Sequence, residues 1–411
     1  MITYRTAARN LLLTCALALL GVAAFWSLRL AWADRLSRAE DPQTVTRAAR
    51  LSPGNADFRV KLARALNTSG GDSHSALQAA ALLNPADARV WMRLGLNAEM
   101  RGDYVTAERH LLAATRVSRL FEPRSTLAGY YFRRGDAAHF WPWVQQALLM
   151  GNGDLDPVFA LCWKVTSDAG MILNQAIPER RAVLNPYLRF LLQEHRLDAA
   201  AAVAHKLVGI GTEADRPELL ALIDRQLQAR ETPAALETWN RMCWRRILPY
   251  APLNPENGAS LTDGAFAADS TGGGFAWHLD SAPGVACGRN TSPRYVWLSF
   301  SGAQPARYEP LSEYLVVAPG AHYRLRYLYR TSDWAPESGI SWQVLDTAGG
   351  AQLIARSPWL SSPEWKTDET RFTAPASNPL VRLVLTYQSA PGATRIEGSV
   401  LLRRVELERL S

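Results

Sequence analysis

The stretch from Asp87 to Arg119, DARVWMRLGLNAEMRGDYVTAERHLLAATRVSR, decides how the first half of the chain folds. Its apolar residues recur three and four apart on either side of Gly102-Asp103, so it reads as two amphipathic helices joined by a tight turn. Small residues stand where such helices meet, Gly95 in the first and Ala107 in the second, and Leu111 and Ala114 continue the inward face. Antiparallel helices approach closely only where side chains are short. Packing therefore accounts for these positions, and none is a ligand candidate.

The same punctuation recurs outward from this unit. Asp41-Pro42 opens a helix through Val45 and Ala49, Ser52-Pro53-Gly54-Asn55 ends it, and Phe58, Leu62 and Leu66 follow at helical spacing. Asn84-Pro85 stands where Ser52-Pro53 stood, close to a repeat period of ~34 residues. With Trp91, Leu94, Gly95, Ala107, Leu111 and Ala114 in place, the unit resembles the tetratricopeptide repeat family. That resemblance implies an α-solenoid whose groove binds an envelope protein partner. Beyond it, Gly129 and Gly135-Asp136 keep the turn logic, whereas Trp141-Pro142-Trp143 is expected to break the second helix of its pair. Further pairs start at Asn185-Pro186 and at Pro217, the last ending at Arg246. Tyr130, Tyr131 and Trp143 are read as core filling.

After Pro249 helical periodicity stops, and Gly, Ser, Thr and Pro punctuate short alternating segments. Strands are expected at Tyr295–Phe300, Tyr314–Val317, Tyr323–Tyr329, Ile340–Leu345, Arg371–Thr373, Val381–Tyr387 and Ser399–Leu407. Seven or eight of these make an antiparallel β-sandwich. Asp263-Gly264-Ala265-Phe266, Trp277, Ala318-Pro319-Gly320, Trp365 before Phe372-Thr373-Ala374-Pro375, and Gly398-Ser399-Val400 follow in an order that resembles carbohydrate-binding-module and galactose-binding-like jelly rolls. That family's last strand usually carries acidic residues, some joining a structural calcium site. This chain has Arg403-Arg404 there, so neither calcium nor any other cofactor is expected.

The expected fold class is thus multidomain α plus β: a membrane anchor over 1–33, a tetratricopeptide-like solenoid over 34–248, a linker at 249–256 and a jelly-roll sandwich over 257–411. Within the sandwich, alternation turns Tyr323, Leu325, Tyr327 and Tyr329 to the core and Arg324, Arg326 and Arg330 away from it. If Gln343 and Arg382 share a face with Arg326, they form a polar platform for an acidic glycan, with Trp334 or Trp359 supplying an aromatic edge. An ordinary solvated face with its loop tryptophans folded down is the competing interpretation.

Leu11 to Leu28 carries no charged residue, enough to cross a bilayer as a helix, and Arg5 and Arg9 precede it. Ala31-Trp32-Ala33 offers a cleavage pattern with poor flanks, so an uncleaved anchor is expected, with the body in the periplasm of a bacterial inner membrane. The net charge of +7 rests almost wholly on arginine, spread without a run or stripe, which argues against nucleic acid. Cys15, Cys162, Cys243 and Cys287 have no metal-ligand spacing and are read chiefly as free thiols. The seven histidines form no metal pair, and neither a nucleophile elbow nor a phosphate loop is present. Together these features describe a non-enzymatic, membrane-anchored envelope scaffold, and the two resemblances imply surface polysaccharide assembly or export as its setting. Two alternatives stay open: a structural scaffold whose sandwich is a cap without glycan affinity, and a glycan-modifying enzyme.

Overall fold

A computed structural model describes residues 2–151, 153–269, 271–332, 334, 339–389 and 394–410, with only the backbone at 2–8, 10 and 11. The chain divides into two compact units, Met1–Pro178 and Glu179–Ser411.

The first unit is helical: α1 Ile2–Ser37, α2 Pro42–Leu51, α3 Ala56–Thr68, α4 His74–Leu83, α5 Ala88–Met100, α6 Tyr104–Val117, α7 Phe121–Arg134, α8 Ala137–Met150, α9 Asp156–Val165 and α10 Ala169–Gln175. Asp41, Asn55, Asp87, Asp103, Asp136 and Asp168 each cap a helix by accepting a backbone N–H of its first turn. Such a cap contributes about 1 kcal/mol. In the α5–α6 hairpin Leu94, Ala98, Ala107, Leu111 and Ala114 are buried, and a Cβ on Gly95 would come within 2.6 Å of Leu111 Cγ. Gly95 therefore sets the hairpin's spacing, as the tetratricopeptide pattern requires.

The next pair corrects one expectation, because α8 runs straight through Trp141-Pro142-Trp143. Proline forfeits one backbone bond near the helix start. Offsetting that are the Asp136 cap, which accepts from His139 N, and the burial of Phe140, Trp141, Val144, Ala147 and Leu148. Tyr130 and Tyr131 are core, their hydroxyls donating to the Tyr104 carbonyl and to Glu108, and Trp143 is half-buried.

From Leu12 to Ser37, α1 is long and apolar enough to cross a membrane. Leu17, Leu19 and Leu28 are exposed along it. Its last turns are packed instead: Ala33 is buried with Ala49 and Phe58, Arg29 Nε donates to the Leu51 carbonyl at 2.8 Å, and Lys61 Nζ donates to Ser37 Oγ at 2.8 Å.

The second unit opens with four helices, α11 Arg181–Gln193, α12 Leu197–Ile210, α13 Arg216–Gln228 and α14 Thr232–Trp244. Asp215, just before α13, ties the pairs together by accepting from Arg181 Nε at 2.7 Å and from Asn185 Nδ2 at 3.1 Å. The segment expected as a linker, 249–256, is not a free tether. Leu248, Tyr250 and Leu253 are buried, Asn240 exchanges two hydrogen bonds with the Leu253 backbone, and the Tyr250 ring stacks on Trp239 at 5.7 Å. Phe275 meets Trp239 edge-on at 5.6 Å, and Gly274 N donates to Asp224 at 2.7 Å. Aromatic burial thus fixes α13 and α14 to the strand region, and the division between compact units falls at Pro178/Glu179, inside the helical part.

Among the described residues ten strands follow: β1 His278–Leu279, β2 Val285–Thr291, β3 Arg294–Ser301, β4 Arg307–Val316, β5 His322–Thr331, β6 Ile340–Asp346, β7 Gln352–Arg356, β8 Lys366–Thr373, β9 Leu380–Gln388 and β10 Glu397–Leu410. They form two antiparallel five-stranded sheets, ordered β1-β4-β9-β6-β7 (sheet one) and β2-β3-β10-β5-β8 (sheet two). Tyr323, Leu325, Tyr327 and Tyr329 of sheet two share one core with Trp342, Val344, Val381, Leu383 and Leu385 of sheet one. The expected core face of β5 is therefore the observed one. The sequence reading omitted β1, β2 and β7.

Candidate functional site: the outward faces of the sandwich

The five residues expected to form a glycan platform do not converge. Arg326 lies on β5 in sheet two, whereas Gln343 on β6 and Arg382 on β9 lie in sheet one, and the outward faces of the two sheets look in opposite directions. Alternation assigns a face within a sheet but not the sheet a strand joins. Gln343 is only 3% exposed, with Ser341 and Thr386 on the same face buried beside it, so it presents nothing to solvent. Arg382 is half-buried and engaged, donating to Glu309 at 2.9 Å and to Ser312 Oγ at 3.0 Å. Trp334 is folded onto the core, with Nε1 donating to the Leu360 carbonyl at 3.0 Å. Trp359 is half-buried against the Arg356 guanidinium, 5.4 Å from its ring.

Beside Arg382 a cleft of about 500 Å³ opens between α13 and sheet one, lined by Asp224, His278, Asp280, Glu309 and Tyr314. Its chemistry is largely spent internally. Asp224 accepts from Gly274 N, Glu309 holds Arg382, and burial pushes the His278 imidazole below its ordinary range. Among the described residues no group of three His, Cys, Asp or Glu side chains is placed to hold a metal. One carboxylate faces the core itself. Glu313 of β4 is 1% exposed and accepts from Thr262 N at 2.5 Å, while its second oxygen has no hydrogen-bond partner among the described residues. Burial raises its pKa well above the usual carboxylate range, Asp263 adds to the rise, and the Thr262 hydrogen bonds and Arg289 oppose it. Burial also pushes the Cys162 and Cys243 thiols up to about 12, and all four cysteines are free.

Sheet two presents a different outward face. Arg324 pairs with Glu408 at 2.6 Å and Arg371 with Glu369 at 3.0 Å, while Arg326 reaches Glu369 at 4.0 Å. Those pairs neutralise one end of the face. At the other end Trp365 is 37% exposed, with the guanidinium groups of Arg330 and Arg403 each 5.8 Å from its ring. The sequence reading turned Arg330 outward but did not join it to Trp365 or Arg403, because that meeting depends on which strands pair.

No family model matches the chain, and no curated protein matches it. Among solved structures it is similar to a family 4 carbohydrate-binding module, at 11% identity and TM-score 0.30 over 37% of this chain and 100% of that one. It is also similar to a xylan-binding domain from Paenibacillus barcinonensis, at 14% identity and TM-score 0.27 over 38% and 96%. A third likeness is to YrrB, a tetratricopeptide repeat protein with an unusual peptide-binding site, at 12% identity and TM-score 0.25 over 49% and 92%.

Proposed function

We propose that this chain is a non-catalytic, membrane-anchored binding protein of a bacterial envelope. Its helical repeats hold a protein partner, its sandwich holds a glycan, and the setting is surface polysaccharide assembly or export. The observation that carries the glycan half is the outward face of sheet two, where an exposed indole lies 5.8 Å from each of two arginines that have no carboxylate partner among the described residues. Flat indoles offer apolar surface to sugar rings, and arginine forks match carboxylates. A non-catalytic role is supported by the sheet-one cleft, whose Asp224 and Glu309 are engaged in internal hydrogen bonds and an ion pair. Retention of the anchor is supported by Ala33, which is buried against Ala49 and Phe58, so cleavage after it would cut a packed helix. The body then lies on the periplasmic side.

A second reading, a scaffold whose sandwich merely caps the helices, is favoured by the aromatic stack of Trp239, Tyr250 and Phe275. Affinity electrophoresis of the detergent-solubilised chain through gels containing neutral or acidic polysaccharides separates the two. Retardation by at least one polysaccharide is expected, and unretarded migration in every gel would leave the cap as the better account.

A further inference from the structure

One row of residues crosses the strands on the outward face of sheet two. Gly288 of β2 pairs with Trp297 of β3, Trp297 with Leu401 of β10, and Leu401 with Arg330 of β5. Lys366 at the start of β8 pairs with Tyr329, which places Trp365 beside Arg330 at the end of the row. The Trp297 indole lies across Gly288, where a Cβ would come within 2.7 to 3.0 Å of three of its ring atoms. Glycine is what lets the indole lie there. From Trp297 to Trp365 the row spans three strand spacings, ~14 Å.

A bulge in β10 completes it. Leu402 and Val405 are three residues apart, which in a regular strand would put them on opposite faces, yet both are buried in the core. The register with β5 shifts between Leu402 and Arg404, so Arg403 and Arg404 both turn outward. Glu406 holds Arg404 at 3.1 Å. Arg330 and Arg403, each with its guanidinium 5.8 Å from the Trp365 ring, have no ion pair among the described residues.

The geometry points to this row as the docking stripe for an extended acidic polysaccharide, with sugar rings on Trp297 and Trp365 and a sugar carboxylate received by Arg330 and Arg403. It rests on the carbohydrate reading of the sandwich and adds the ligand's charge and the residues that read it. Two like charges close to one ring repel each other, and a carboxylate bound by both relieves that repulsion while accepting their fork-like donors. A neutral glycan would use the indoles and leave both guanidinium groups without a counter-charge. An anionic lipid surface would meet the charge but make no use of a glycine that beds an indole along a line of strands.

The test uses the full chain in phosphatidylcholine nanodiscs, titrated with polygalacturonate, with its methyl-esterified neutral form, or with phosphatidylglycerol vesicles. Polygalacturonate is expected to bind best, and more weakly as salt rises. Arg330→Ala with Arg403→Ala is expected to weaken that binding about tenfold or more and to flatten its salt dependence. Trp365→Ala and Trp297→Ala are expected to weaken both polymers. Arg371→Ala, already held by Glu369, serves as the control and changes little. Glycan binding that all three test variants leave intact overturns the stripe while the carbohydrate reading survives. Absence of binding to any glycan overturns both. Vesicle binding that the arginine variants abolish, without polygalacturonate binding, overturns the stripe in favour of a lipid surface.

Discussion

The two sheets of the sandwich turn opposite kinds of face outward. On sheet one Ser341, Gln343 and Thr386 are buried, Arg382 is held by Glu309, and Asp224 of α13 shares a cleft with β4 and β9. On sheet two Arg326, Arg330, Arg403 and Trp365 are exposed. Alternating polarity says which side chains leave the core. What they meet next depends on strand order and on the elements packed beyond, so arginines that look equivalent in sequence become an internal tie on one sheet and a presented charge on the other.

The strongest challenge to this contrast is Trp239→Ala. Trp239 is fully buried between Tyr250 and Phe275, and its loss is expected to cost about 3–5 kcal/mol, read as a lower melting temperature of the full chain. A mild effect would mean that α13 and α14 contribute little to the sheet-one side. Next comes a matched pair of substitutions. Arg382→Ala removes the closer of two ion pairs to Glu309, leaving Arg307 at 3.5 Å, and frees Ser312, and is expected to cost about 1 kcal/mol, whereas Arg330→Ala with Arg403→Ala should leave the melting temperature unchanged. Equal losses would erase the difference between the faces.

A smaller effect concerns Glu313, the core-facing carboxyl of sheet one. Its folded pKa is raised above its unfolded value, so its contribution to stability is complete below about 4.3 and is lost as pH rises toward and through the folded pKa. Glu313→Gln keeps an oxygen to accept from Thr262 N and removes the titration. Denaturant midpoints measured from acid to neutral pH should therefore fall less steeply for this variant than for the natural chain. Parallel curves would show that Glu313 does not set the slope.

Much of the fold was legible where one residue's size or face carried the information. Gly95 and Ala107 announced a close helix pair, and Tyr323, Leu325, Tyr327 and Tyr329 announced a core face. α8 was misread because Pro142 was weighed without the Asp136 cap and the apolar residues that hold the helix around it. β2 was missed because Cys287, Gly288, Arg289 and Asn290 show no clean alternation, and β7 because a five-residue edge strand carries little pattern. The expected glycan residues were legible only one at a time. Arg326 was correctly turned outward, but nothing in sequence separates β5 from β6 and β9 into different sheets. The bulge that brings Arg403 to Trp365 disguised itself as a break in alternation at Arg403-Arg404.

Hydroxyl-radical footprinting of tryptophans in the full chain, with and without polygalacturonate, tests most directly whether sheet two presents the binding face. Protection is expected at Trp365 and Trp297, with Trp334 and Trp359 unchanged. Protection confined to Trp334 or Trp359, or equal oxidation of all four under saturating ligand, would contradict it.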